Sequence, residues 1–398
     1  MTSPLHIVGG RALVEGAFRP STVTIVDETI DSIAEPTDQD GQIIDADGLL
    51  ISPGFIDLQI NGGFGIDLVD DPEGMWALGS RLPQCGVTSF LPTIITSPSA
   101  VNSASLEALH KRPASYRGAE PLGLHFEGPM LSPQQPGAHP KQHLASPTMQ
   151  VIDGWSRAAG VALVTIAPEL PNAMSIIAEL VDRGVTVAAG HTEATDEQAF
   201  AALDAGVTMV THLFNAMSPL GHRQPNLVGV ALASRELPVG LIVDGVHVDP
   251  TVIAATWHTK GAAGIALVTD AVAPMGQGPG RFEFAGQHIT ADSRCVRNSA
   301  GTLAGSILTM DQAVRNLTAF TGCSSEDALA TATATPAQLV REFRRGCIAR
   351  GAIADLVLLD DELNVELTIC GGRIAYVSDS ARLRLPATHR NDDRSEVR

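Results

Sequence analysis

The residues of this 398-residue chain best placed for chemistry lie between Val187 and Met217, where two histidines each close a short apolar run. Val185 to Ala189 runs into Gly190-His191, and Val207 to Thr211 runs into His212; both runs have the β-branched, apolar texture of short strands. Thr195, with Gln198 three residues on, can cap a helix between them. Ala199 and Leu203 give that helix a face to bury, and Gly206 ends it. A strand, helix and strand cross over right-handed onto one parallel sheet, so both histidines reach the same rim. Each alone reads equally well as a satisfied loop or core residue. As a pair they suit a transition metal, which imidazole nitrogens bind well.

The elements that must position them repeat along the chain. Eight apolar runs, FIDLQI, VTSFLPT, LGLHF, VALVTI, VTVAA, VTMVT, VGLIV and IALVT, are separated by helical patterns such as MSIIAELVDRG and DPTVIAATWHTKG. That alternation predicts an α/β fold, a (β/α)8 TIM-like barrel. The runs finish in Gln59 and Asn61, Glu127, Glu169, His191, His212, Asp244 with His247, and Asp270, and C-terminal strand ends of such a barrel form one mouth. So many histidines and acids at those ends point to a shared catalytic mouth rather than ordinary turns. Residues 1–52 alternate apolar and polar residues in short pieces, and the same texture returns in 346–385. We expect one small β-sandwich domain built from both termini, flanking a barrel over 53–345, with a frayed polar tail at PATHRNDDRSEVR.

A 44% hydrophobic composition is enough for a large core, while the formal charge of −18 argues against nucleic acid as a partner and requires that any anionic ligand be held by a local cluster of positive groups. Five scattered cysteines without a CxxC spacing suggest neither a disulfide framework nor a thiolate zinc site, and fit a reducing cytoplasm. No apolar run reaches membrane-spanning length, and Arg11, Glu15 and Arg19 interrupt any candidate leader.

Six motifs carry a family resemblance: GFIDLQING (54–62), HFEGP (125–129), GHT (190–192), THLFNAM (211–217), DGVH (244–247) and VTDA (268–271). In this order and spacing, with GTLAGS (301–306) and ARGAIADLVLLD (349–360), the chain resembles the N-acetylglucosamine-6-phosphate deacetylases of the amidohydrolase superfamily from about residue 5 to 380. The resemblance implies metal-dependent release of acetate and D-glucosamine 6-phosphate from the N-acetylated sugar phosphate, in amino-sugar catabolism and cell-wall recycling. It casts His247 as the group that polarises the acetyl carbonyl, which would stabilise an oxyanion. It makes His139, in the Pro- and Gly-rich loop after the third strand, a sugar-hydroxyl contact, and assigns phosphate and sugar contacts to Asn215 and Ala216. Leu303, Ala304 and Gly305 are similar to a stretch that packs on the acetyl end. Arg223 resembles an arginine that reaches into a neighbouring subunit's site, which implies a homodimer.

The residues support that chemistry in their own right. Glu127, His191 and His212 make a one-carboxylate, two-imidazole set that leaves a divalent ion an open position for water. Zinc is the first expectation, with Fe2+, Co2+ and Mn2+ as alternatives. A water polarised in this way ionises near neutral pH. Asp270 can take a proton from it and return the proton to the departing amine. Many superfamily members carry His-x-His on the first strand and bind two metals, whereas this chain has Gln59-Ile60-Asn61, so one metal per subunit is expected, with the second position vacant. HRQPN (222–226) differs slightly from the family's HREPG-like form. Two alternatives stay open: an amidohydrolase acting on a related N-acyl substrate such as N-acetylgalactosamine 6-phosphate, and a non-catalytic scaffold of the same fold.

Overall fold

The computed structural model describes residues 3–35 and 41–385; the tail expected at 386–398 lies outside them. Eight parallel strands follow one another in sequence order around a barrel: β1 (Phe55–Ile60), β2 (Val87–Ile95), β3 (Leu124–Glu127), β4 (Val161–Ile166), β5 (Thr186–Ala189), β6 (Met209–Val210), β7 (Val239–Leu241) and β8 (Ile265–Leu267). Each coincides with one of the eight apolar runs. Their residues are buried throughout, as strands covered on both faces must be, and hence they read as continuous apolar runs rather than as alternation. The barrel is nearly closed. Adjacent strands pair in a parallel ladder from β1 to β8, but the end of β1 meets the segment past β8 only through the isolated bridge Ile60–Ala271.

Helices pack outside the barrel where the 3.6-residue pattern predicts them. Between β5 and β6, Asp196–Ala205 is capped by the reciprocal Thr195 and Gln198 bonds and ends at Gly206 in the left-handed region. Ala173–Asp182 and Pro250–Lys260 occupy the other two expected positions. Between β3 and β4 the connection carries only a short 3-10 turn, Lys141–His143, and its length leaves a loop free to fold over the mouth. Long connections without a helix of their own are commonly binding loops.

Two further sheets unite the termini. Arg11–Val14, Ala17–Pro20 and Leu50–Pro53 share a six-stranded sheet with Leu356–Leu359, Val365–Cys370 and Arg373–Val377; Leu5–Val8, Thr22–Val26, Thr29–Ala34 and Gln42–Asp45 form the other. Ile7, Val23, Ile44, Ile51, Leu358 and Ile369 are among the residues of the apolar cluster between them. A three-stranded antiparallel sheet (Gly280–Phe284, Gln287–Ala291 and Val296–Asn298), absent from the sequence reading, follows β8 and packs Phe284 and Ile289 against Ile95 and Val272 at the barrel mouth. Among the described residues no helix is long and apolar enough to cross a membrane.

Candidate functional site

The mouth formed by the strand ends holds a cavity of about 430 Å3. Glu127 enters it as the last residue of β3, His191 and His212 just past β5 and β6, and Asp270 three residues past β8. Gly190 is needed where it stands: a Cβ there would lie 2.8 Å from the Cβ of Thr211, and without one the ends of β5 and β6 can close. His191, His212 and Asp270 have φ of 50°, 22° and 48°. Non-glycine residues pay for that left-handed conformation, about 1–3 kcal/mol each in strained cases, and the cost is tolerated chiefly where geometry matters.

Three histidines converge on one carboxylate. Glu127 Oε1 lies 3.2 Å from His191 Nε2 and 3.0 Å from His212 Nε2, those two nitrogens are 3.1 Å apart, and Glu127 Oε2 is 3.4 Å from His139 Nε2. Glu127, His139 and His191 also meet the spacing of a metal trio, with ligand atoms within 4.8 Å of one another. The other ring nitrogens separate the candidates. The Nδ1–H of His191 donates to the carbonyl of Gln135 at 2.9 Å, which leaves Nε2 with its lone pair facing the cluster, as a metal ligand needs. His139 Nδ1 instead accepts the backbone N–H of Thr96 at 3.2 Å, so the proton of the neutral ring sits on Nε2 and donates to Glu127. A nitrogen that carries a proton cannot ligate. Burial pushes His139 down to about 4, which keeps the ring neutral. His212 Nδ1, on the side of the ring away from the cluster, is buried without a partner; an ion held on Nε2 would leave the ring's proton there.

Electrostatics follow from burial. Burial alone would raise the Glu127 carboxyl, but the three imidazoles packed against it, His139, His191 and His212, overrule burial and hold the group well below the usual range. Asp270 is pushed up to about 6 by burial and by the charge of Glu127. Gln59 Nε2 donates to Glu127 Oε1 at 2.9 Å and to Asp270 Oδ1 at 3.2 Å, and Asn61 Nδ2 donates to Asp270 Oδ1 at 2.7 Å. The amide pair thus turns N–H groups, not lone pairs, toward the two carboxylates. It also restrains one oxygen of Asp270 and leaves the other available.

His247 lines the same cavity, on the loop after β7. Its Nδ1 is 2.7 Å from Asp244 Oδ2, while Asp244 Oδ1 accepts the amides of Val246 and His247 at 2.8 Å each. Burial works against the Asp244 charge, yet the hydrogen bonds from His247 hold its carboxyl below the ordinary value. Asn215 and Ala216 line the cavity beside His212, and Asn215 Nδ2 is tied to the His212 carbonyl at 3.2 Å. Leu303 and Gly305 reach the cavity, but Ala304 turns instead into the small apolar cluster with Ile95, Val272 and Phe284. Arg223 does not line the cavity of its own chain; it is exposed, 2.7 Å from His222 Nε2. Among the described residues, no arginine or lysine lines the cavity. Glu169, another run end, caps the segment after His191 by accepting from Thr192 Oγ1 and from the Glu193 amide.

Sequence reasoning missed Gln135, Thr96 and Phe284. The first two act through a backbone carbonyl and a backbone N–H that no motif marks, and Phe284 arrives from the inserted sheet. Asp244 was legible only as a run end, although its spacing to His247 is visible in DGVH.

The Amidohydrolase family model matches residues 50–375. The N-acetylglucosamine-6-phosphate deacetylase of Bos taurus is 40% identical over 85% of this chain and 86% of its own length, and that of Bacillus subtilis 38% identical over 84% and 87%. Among solved structures, a variant of the Mycobacterium smegmatis N-acetyl-D-glucosamine-6-phosphate deacetylase in complex with N-acetyl-D-glucosamine 6-phosphate superposes with a TM-score of 0.86 at 30% identity, covering 95% of this chain and all of that one. The chain belongs to the amidohydrolase family, in the group of its N-acetylglucosamine-6-phosphate deacetylases.

Proposed function

We propose that this enzyme hydrolyses the acetamide of N-acetyl-D-glucosamine 6-phosphate, and that Glu127, His191 and His212 hold one divalent metal per subunit, zinc by the chemistry of the donor set. The observation that carries this reading is the convergence of one carboxylate oxygen and two Nε2 atoms within 3.2 Å of one another, with the His191 tautomer set for ligation by the Gln135 carbonyl. When bound, the ion supplies Lewis acidity and a water that ionises near neutral pH. The chain's own groups do the rest. Asp270 takes the proton of the attacking water and hands it to the departing amine. His247, steadied by Asp244, faces the acetyl carbonyl, where a donor stabilises the developing oxyanion. His139 holds Glu127 through Nε2–H and contributes to the wall that meets the sugar, as do Asn215 and Ala216. Leu303 and Gly305 face the acetyl end.

A phosphate needs a cation, and among the described residues of one chain no arginine or lysine lines the cavity. That supports a homodimer in which Arg223 of a second copy completes the site, since a planar guanidinium suits bidentate phosphate binding. The test is acetate release from a panel of N-acetyl amino sugars and their 6-phosphates, together with elemental analysis. We expect turnover of the phosphorylated glucosamine derivative and about one ion per chain. Two tightly bound ions would overturn the single-metal reading, and equal turnover with and without phosphate the substrate reading.

A further inference from the structure

Closure of the barrel presents a physical problem at one seam. β1 and β8 have no ladder of backbone bonds between them, yet their ends carry Gln59, Asn61 and Asp270, whose side chains hydrogen-bond across the seam at 3.2 and 2.7 Å. The groups that cross the seam begin one turn of the pleat below the mouth. Asp57, on β1 and with no exposed surface, accepts the hydroxyl of Thr269 at 2.6 Å on Oδ2, and on Oδ1 the amides of Gln59 at 3.1 Å and Thr269 at 3.3 Å. Just above, Asp270 N donates to the Gln59 carbonyl at 2.8 Å, and Asn61 N to that of Ala271 at 2.8 Å. Ser306 closes the far side: its amide donates to the Asp270 carbonyl at 2.8 Å and its hydroxyl to the Thr269 carbonyl at 2.6 Å.

We propose that Asp57 is a positioning residue for the hydrolysis, a side-chain clasp that replaces the missing strand pairing between β1 and β8 and, through Thr269, fixes the backbone from which Asp270 projects. Burial pushes the Asp57 carboxyl up to about 7 against the pull of its hydrogen bonds from Thr269 and Gln59. A carboxylate is a costly way to fill an interior position that an apolar side chain would fill more cheaply. What it supplies there is reach: two oxygens that accept from three donors, one on β1 and two on Thr269 just past β8, below the point where backbone bonds first cross the seam. Asp270 sits at a φ of 48°, so its side chain depends on restraint from outside its own local conformation. The amide donors of Gln59 and Asn61 act at the carboxylate end of Asp270; the Asp57 clasp acts at its root.

This inference rests on Asp270 being the proton-transfer group. The decisive variant is Thr269→Val, which removes the hydroxyl at constant shape, with Thr269→Ser as the conservative rescue and Asp57→Asn as the second arm. For Thr269→Val we expect kcat to fall about tenfold or more, the effect of a misplaced catalytic group, with KM within about twofold and the metal content of the purified enzyme unchanged. Thr269→Ser should return kcat to within about threefold of the parent, and the double variant with Asp57→Asn should lose little more than either single one, because both break the same bond. Amide hydrogen exchange at Asp270 should accelerate in Thr269→Val. An unaltered kcat in Thr269→Val, a loss matched by lost metal or folded fraction, or failure of serine to rescue overturns the clasp. Near-normal turnover in Asp270→Asn overturns the role of Asp270 itself, independently of the clasp, and Thr269→Val decides the question even if Asp57→Asn does not fold.

Discussion

Replacing Asp244 by asparagine separates charge from shape at His247, the histidine proposed to face the acetyl carbonyl. The Oδ1 of the new side chain can keep the two backbone amides, of Val246 and His247, that Asp244 Oδ1 accepts at 2.8 Å, so the loop after β7 should hold its course. What changes is the other atom. Asp244 Oδ2 accepts from His247 Nδ1 at 2.7 Å, whereas the asparagine amide at that place can only donate. The ring must then turn its lone pair to Nδ1 and carry its proton on Nε2, or rotate away. It also loses the negative charge that Asp244 places against the ring as it donates to the tetrahedral oxyanion. A hydrogen bond to a charged group is worth about 1.5–3 kcal/mol, and at about 1.4 kcal/mol per decade that is roughly a 10- to 100-fold loss. Because the interaction strengthens as charge develops on the substrate oxygen, the loss should fall on kcat and on kcat/KM alike. Steady-state acetate release measures it, with thermal unfolding and metal content as controls. A kcat within twofold of the parent, or a change confined to KM, would refute the assignment of Asp244 and His247 as a unit.

Asp270→Asn should fold, keep its metal and lose most turnover, since the amide cannot carry the proton between water and amine; elemental analysis and acetate release on one preparation check both halves. The pH profile follows from the same group. Burial raises Asp270 to about 6 and only the ionised form accepts a proton, so kcat/KM should fall about tenfold per unit as pH drops below about 6 and level off above it, whereas a profile flat down to pH 4.5 would contradict this. Arg223→Ala should weaken kcat/KM for the 6-phosphorylated substrate by about 2–4 kcal/mol, the scale of removing one partner from a desolvated charge pair, and leave slow action on the unphosphorylated sugar almost unchanged. Mixing it with Asp270→Asn should restore part of the activity through hybrid sites, and no rescue despite demonstrated subunit exchange would exclude a shared site.

Local pattern carried most of the fold. The eight apolar runs fall on the eight barrel strands because parallel strands buried on both faces must be apolar along their whole length, a property written residue by residue. The helix at Asp196–Ala205 was visible for a similar reason: Thr195, Gln198 and Gly206 satisfy its end groups within a few residues of chain. The convergence of Glu127, His191 and His212 could be anticipated too, since strand order and crossover hand bring strand ends to one rim whatever the loops do. Which nitrogen of each ring faces the cluster could not. His139 and His191 are the same residue type a few ångströms apart, with ring centroids 4.4 Å from one another. One accepts a backbone N–H from Thr96 and the other donates to the Gln135 carbonyl, and these two contacts, each spanning more than forty residues of sequence, leave the lone pair on Nδ1 in one ring and on Nε2 in the other. The clasp of Asp57 on Thr269 spans 212, and in the sequence Asp57 is only an acid in an otherwise apolar strand. Residue type and spacing determined which groups could meet; the tautomers, the carboxylate shifts and the seam depend on which backbone atoms the closed barrel brings beside them, and no local pattern encodes a partner that distant.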